Sequence, residues 1–308
     1  MSDKIKNNVI NSVTITGRIA EIEVKQDKTK KNIPYVSIKG AIQFGDSKAQ
    51  IRRFEAFQQS ITTKGKENKL YASTLEFAEK AKSIAQVGND EATVVSIQGE
   101  FQTNDYVNVK EMLVEGLNIK ATFFNDVAPD VEFKATADIE GYIQSIEEET
   151  KGENQEETGR LKVNLLTTDF SGNIIPIKNL IVPAELKESF ESGYEVGQTA
   201  TLFIDFVVNK TDEKPVPTGG IGVQRSTGGK SFVEMQITGA NPPFEEDDEF
   251  GISEEAIRIA LVDRKAQLDE IKAEGYKGSK GSSQPQANRN GFAGKTKPKS
   301  VEDDDMPF

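Results

Sequence analysis

The side chains that most enzymes use to attack a carbonyl, hold zinc or shuttle a proton are missing from this sequence. Its 308 residues include no Cys and no His. That removes Ser-His-Asp triads, Cys-His dyads, the usual zinc sites and any disulfide framework. Two stretches imitate a phosphate-binding loop and fail. "QRSTGGKS" ends in Gly229-Lys230-Ser231, but Gln224 stands where the first glycine belongs. The residues that follow, "FVEMQITG", alternate like a strand where such a loop must open a helix. "RNGFAGKT" has Arg289 at the first-glycine position and no apolar period around it. The acidic clusters read as solvated charge and not as a Mg²⁺ or Ca²⁺ site. No catalytic residue, cofactor or metal is expected. What remains is non-covalent: 38 Lys and Arg that can meet phosphates, and 17 Phe and 6 Tyr, without Trp, that can stack on flat rings.

Those cations are unevenly spread. The net charge is −12, yet residues 1–128 carry 18 Lys/Arg against 16 Asp/Glu, while residues 129–244 carry 10 against 19. A basic patch can sit on an acidic chain, so an anionic ligand points to the first segment. No run approaches the roughly 18 apolar residues of a membrane span. The opening "MSDKIKNN" lacks a secretory h-region, and a Cys-free chain suits a reducing cytosol, so a cytoplasmic location is expected.

The elements that must position these residues repeat. "ITGRIAEIE" (Ile15 to Glu23) and "IEGYIQSIE" (Ile139 to Glu147) share the pattern I-x-G-x-I-x-x-I-E at an offset of 124. "EMLVEGLN" (Glu111 to Asn118) and "EMQITGAN" (Glu234 to Asn241) match at an offset of 123. A duplicated domain is the reading, since the period is too long for a solenoid. In the first copy "VTITGRIAEIEV", "YVSIKGAIQF" and "QIRRFEAF" alternate as strands. "KLYASTLEFAEKAKSIAQV" then turns helical, with Leu70, Phe77, Ala81 and Ile84 on one face and Gly88 as the stop. "ATVVSIQGEFQT" and "YVNVKEMLVEGLNI" return to strands.

Three strands, a helix and two strands is the order of the OB-fold, a five-stranded Greek-key barrel. The expected fold is therefore mostly β: two tandem OB-folds, 1–128 and 129–244. An acidic linker and a helix capped by Ser253 follow over 245–275, then a disordered linker over 276–300 and an acidic tip over 301–308. Gly17 and Gly141 should mark the sharp bend of each first strand. The helix after the linker, with a stripe of Ile257, Leu261, Leu268 and Ile271, reads as a docking element.

A barrel that holds single-stranded nucleic acid pairs a cationic groove with rings on which bases stack. In the first barrel the candidates are Lys28, Lys30 and Lys31 in the first hairpin, and Lys39, Arg52 and Arg53 on the next strands. Tyr35, Phe54 and Tyr106 are the candidate rings, with the reservation that Phe54 or Phe57 can instead fill the barrel. The second barrel offers Tyr142, Arg160, Lys162 and a Gly/Pro-rich loop carrying Lys210, Lys214, Arg225 and Lys230. Its excess of acid makes it the weaker binder or a subunit-contact module.

The last residues, "DDDMPF", follow a Gly/Ser/Gln/Pro/Asn-rich spacer. This ending resembles bacterial single-stranded DNA-binding proteins (SSBs), whose tails close on Asp-Asp-Asp, an apolar residue, Pro and Phe; "ITGRI" is similar to their first-strand pattern. The likeness covers the tip closely, the spacer in composition and the barrels in architecture. Two divergent barrels in one chain suggest a phage- or plasmid-borne member. The resemblance implies coating of single-stranded DNA during replication, recombination or repair, without enzymatic activity. It also implies recruitment of partner enzymes through Asp303, Asp304, Asp305, Met306, Pro307 and Phe308. A terminal ring and carboxylate suit a pocket with an Arg or Lys beside it. The family's stacking tryptophans have no counterpart here. Most members assemble four barrels, so two per chain imply a homodimer or a monomer. A protein-interaction hub and an RNA-binding OB protein are the alternatives.

Overall fold

The computed structural model describes residues 9–276 apart from 48, 129, 153–154, 170, 211–230, 246–247 and 249; only the backbone of Lys210 is described. The loop cations Lys214, Arg225 and Lys230, and the tip from Asp303 to Phe308, lie outside the described residues.

The first repeat opens with β1 (Asn11–Lys28), β2 (Pro34–Gln43) and β3 (Ile51–Gln59). Two helices follow, α1 (Lys69–Lys80) and the single turn α2 (Ile84–Val87). Next come β4 (Val94–Thr103), a small hairpin of β5 (Tyr106–Val107) and β6 (Leu113–Val114), and β7 (Leu117–Asp126). Strand β1 pairs with both β2 and β4, β7 pairs with β4, and a short parallel contact at Phe54 and Ile119 joins β3 to β7. The circle β1-β2-β3-β7-β4 is closed, which is the OB-fold. The second repeat closes the same way. Its strands are β8 (Lys134–Lys151), β9 (Glu156–Thr168), β10 (Ile174–Val182), β11 (Thr199–Lys210) and β12 (Ser231–Ala240). A 3-10 turn and α3 (Lys187–Gly193) stand where α1 does. No helix among the described residues is long and apolar enough to cross a membrane.

β1 changes partners next to Gly17, pairing with β4 up to Arg18 and with β2 from Arg18 onward. A Cβ on Gly17 would stand 2.1 Å from the Gln43 carbonyl oxygen, and one on Gly141 2.6 Å from that of Leu166. Only glycine lets the partner backbone pass so closely. The bulge that sharpens each bend also repeats, at Ala20 in β1 and Gln144 in β8. The second sequence match does not survive. Gly99 pairs with Ala121 and Ile204 with Ile237, each beside a bulge at Thr122 or Thr238. The last strands are thus equivalent at an offset of 116, and "EMLVEGLN" against "EMQITGAN" is a coincidence of composition.

The two barrels join through their first strands. Asn11 to Thr16 of β1 pairs antiparallel with Lys134 to Ile139 of β8, so ten strands form one continuous sheet. In this ladder Val13 faces Ala137, its own equivalent at the offset of 124. A pseudo-twofold axis therefore passes between them, and one chain reproduces the geometry of a symmetric dimer. Phe101 and Phe206, equivalent residues of β4 and β11, meet across the axis at 6.3 Å. Both are buried in a core that runs through both barrels.

Each barrel also lends its last hairpin to the other. Beyond β4 the small hairpin reaches the second barrel, where Glu115 pairs with Lys178 of β10 at 3.4 Å. The β11–β12 ribbon leans over β3, where Arg52 Nη2 donates to the Val233 carbonyl at 3.5 Å. The helix α4 (Glu254–Glu274) fastens both. Ser253 caps it by accepting from the Ala256 N–H, and Ile257 and Ala256 pack on Leu166 and Ile174 of the second barrel. Arg264, 7% exposed, makes two hydrogen bonds, of 3.0 and 3.2 Å, to Asp105 of the first. The apolar stripe pointed to docking, but the surface it docks on is this chain.

Two elements differ from the sequence reading. The expected single helix over 70–88 breaks at Ala81, which is extended. There Lys82 and Thr93 exchange two hydrogen bonds, and Ser83 starts a new turn with its own capping box. The expected strand "YVNVKEMLVEGLNI" is divided because the Asn108 side chain accepts from the Lys110 and Met112 N–H groups and turns the chain back.

Candidate nucleic-acid interface

Alternation along β3 decides which rings face out. Phe54 and Ala56 point inward, and Arg53, Glu55 and Phe57 outward. Phe54 is 1% exposed with its edge against Phe124, so it fills the barrel and has no face left for a base. This corrects its assignment as a ligand contact. Phe57, only two pleats from Arg53, is 48% exposed. It lies 5.1 Å from the half-buried ring of Tyr35, to which β2 brings it by pairing Ser37 with Phe57. Together they form an aromatic ledge on the barrel surface.

Lysines surround that ledge from two separate loops. The β1–β2 turn carries Lys28, Lys30 and Lys31, all exposed. The segment between β3 and α1 carries Lys64, Lys66 and Lys69, also exposed, together with Ile61. Hydrogen bonds set the two side by side: Ser60 donates to the Pro34 carbonyl, and Asn68 both donates to Ser60 and holds Gln59. The same Asn68 caps α1. Lys25 completes the group from β1; the Tyr35 hydroxyl, and Asp27 after it, hold its ammonium above the usual lysine value. Seven lysines thus stand at one end of the first barrel against Asp27 and Glu67.

The other expected cations are committed elsewhere. Lys39 lies in a row that crosses the whole barrel face with alternating sign: Glu23, Lys39, Glu55, Lys120, Glu100. Lys39 sits 3.7 Å from Glu55 and Lys120 2.8 Å from Glu100, which leaves this belt near neutrality. Arg52 is an inter-barrel residue. Its guanidinium lies 4.9 Å from the Phe206 ring centroid, and burial lowers its pKa, so the structure does not offer it as a free backbone contact. Arg53 is exposed, one row beyond the belt. Tyr106 is 48% exposed but belongs to the small β5–β6 hairpin, where it and Val107 line a cleft of about 260 Å³ with Ile271 and Tyr276 at the end of α4.

At the equivalent end of the second barrel the sign is reversed. The β8–β9 hairpin carries Glu147, Glu148, Glu156 and Glu157, and the turn and helix after β10 add Glu185, Glu188 and Glu191, against Lys151 and Lys187. Lys187 pairs with Glu148. Arg160 is not available to a ligand. It reaches Glu149 at 2.7 and 2.9 Å and Glu234 at 3.0 and 2.8 Å, and is nearly buried between them. The Arg160 hydrogen bonds hold Glu149 down to about 2 against the cost of burial. For Glu234 burial pushes up, but Arg160 and Gln236 together pull its carboxyl below the usual value. Lys162 is half-buried, and Tyr142 packs under α4.

Sequence reasoning missed Lys25, Lys64, Lys66, Lys69 and Ile61, and named Phe57 only as filling. The run "KGKENK" (Lys64 to Lys69) was the available signal, but nothing local tied it to the first hairpin.

Comparison with known proteins gives three findings. The family model YorF matches residues 9–274. Among solved structures, the fold is similar to the single-stranded DNA binding protein from Thermus aquaticus. A deletion variant gives a TM-score of 0.48 at 10% identity, covering 78% of this chain and 98% of that one. The wild-type protein gives 0.47 at 10% identity, with 78% and 96% covered. Rim1, a mitochondrial single-stranded DNA binding protein of S. cerevisiae, gives 0.25 at 11% identity, with 38% and 95% covered. No curated protein matches the chain.

Proposed function

The chain belongs to the YorF family, a name that carries no activity, and from its own surface we propose that it binds single-stranded DNA with little sequence preference. One observation carries this reading: seven lysines surround a ledge of exposed Phe57 and half-buried Tyr35 at one end of an OB barrel. Lysines meet the phosphates as point charges, and the rings accept any base by its face, so affinity comes without a sequence code. The proposed site comprises Lys28, Lys30, Lys31 and Tyr35, with Arg53 at the margin, together with Lys25, Phe57, Lys64, Lys66 and Lys69. The second barrel serves as the structural half of the pseudo-dimer, since seven glutamates at its equivalent end repel a phosphate backbone. The protein works without catalysis, in the cytoplasm, and the tip from Asp303 to Phe308 recruits replication, recombination or repair proteins.

Titration of a labelled oligo-dT, a duplex of equal length and a single-stranded RNA, each at two salt concentrations, tests the reading. Tight binding to oligo-dT that weakens with salt is expected. Equal or negligible binding to all three would overturn it, and a preference for the RNA would replace DNA with RNA as the ligand. Deleting Met306 to Phe308 should leave oligo-dT binding intact while ending capture of partner proteins; capture that survives the deletion refutes the tip's role.

A further inference from the structure

The two ends of this molecule are equivalent in fold and opposite in charge. From the pseudo-twofold axis at Val13 and Ala137, β1 runs out to the lysine-bearing hairpin and β8 runs the other way to the glutamate-bearing one. The axis thus places the basic and acidic ends on opposite sides, so a contact between them forms between copies. Glu147, Glu156, Glu157, Glu185, Glu188 and Glu191 are exposed and make no ion pair among the described residues. The six lysines from Lys28 to Lys69 at the other end are equally unpaired.

We propose that the basic end of the first barrel docks the acidic end of the second barrel of another copy of this chain. The occupant is identified by its charge, by its exposure and by its place at the equivalent end of a barrel. The contact is heterologous, head to tail: each copy uses one end and offers the other, so it can propagate along a row. Its strength is electrostatic, because among the described residues no ring stands exposed on the acidic hairpin or on α3 to match Phe57. It is therefore strong only where charges see one another, with a screening length of about 30 Å at 0.01 M salt and about 10 Å at 0.1 M. The inference shares the basic end with the DNA reading, and single-stranded DNA competes with the neighbouring copy for it.

Sedimentation of the full chain at roughly 0.01 M and 0.3 M salt tests it. The weight-average mass should at least about double at low salt, as a propagating contact requires, and added oligo-dT should reverse the rise. Two variants locate the contact. One carries Lys30→Glu, Lys31→Glu, Lys64→Glu and Lys66→Glu; the other carries Glu156→Lys, Glu157→Lys, Glu188→Lys and Glu191→Lys. Each alone should stay small, because both of its ends then have one sign. Mixed in equal amounts they should associate again, which also shows that both are folded. A parent of constant mass overturns the proposal. So does a glutamate-reversed variant that associates like the parent, since the acidic tip would then be the occupant. A parent that associates but ignores oligo-dT refutes the DNA reading alone.

Discussion

Replacing Lys30, Lys31, Lys64 and Lys66 with Ala removes four exposed cations from the ledge and touches no packed side chain. Lys25 is already matched to Asp27 at 3.5 Å. If each of the other six lysines there releases one counterion, log affinity for single-stranded DNA falls against log salt with a slope of about −4, at about −0.7 per phosphate contact. Two lysines leave a slope of about −1.4. Between 50 and 200 mM salt the parent should lose about 300-fold in affinity and the variant about 7-fold. The assay is anisotropy of a labelled oligo-dT at four or more salt concentrations. Thermal unfolding should be unchanged, because exposed substitutions away from special features stay within about 0.5 kcal/mol. The control is Lys39→Ala with Lys120→Ala, which removes two cations from the alternating belt. Each is already matched to a glutamate, at 3.7 and 2.8 Å, so the slope should barely move. A four-lysine variant that keeps the parent slope, or a belt variant that loses it, would refute the placement of the site.

Phe57→Ala should weaken oligo-dT binding by about 1–3 kcal/mol, the worth of one stacked base, without altering the salt slope. Arg160→Met leaves Glu149 and Glu234 facing one another without their cation and should cost about 3–5 kcal/mol in denaturant unfolding. The same pair sets an acid limb. With Glu149 held at about 2 in the fold against 4.5 for a free Glu side chain, its contribution of about 3 kcal/mol is complete above pH 4.5 and fades as pH falls toward 2. Stability measured across that window should fall more steeply in the parent than in Arg160→Met. Glu140 behaves oppositely: it is buried, the Thr201 hydroxyl donates to it at a long 3.5 Å, and burial raises its pKa. Its charge is a cost at neutral pH that disappears in acid, so Glu140→Gln should raise stability at pH 7 by roughly 1 kcal/mol, and an unchanged or lower melting temperature would contradict this.

What the amino-acid sequence determined by itself is whatever depends on near neighbours. Alternation set the strands, I-x-G-x-I-x-x-I-E marked both bends, and Ser253 marked the start of α4, because pleat, bend and cap are each read within a few residues. Even the fate of Phe54 was legible, since Arg53-Phe54-Glu55-Ala56-Phe57 alternates and two charged neighbours cannot both point into a core. Three things needed the tertiary structure. The ledge unites a turn near residue 30 with a loop near residue 65 only because β2 and β3 pair and Ser60 reaches Pro34. Arg52 and Arg264 look like free cations in sequence, yet each is held by a residue of the other repeat or of the first arm, more than 150 positions away. The break at Ala81 turns on Thr93, which no helical period can foresee. Local periodicity carries the fold, whereas a charge is free or spent according to what the folded chain brings beside it.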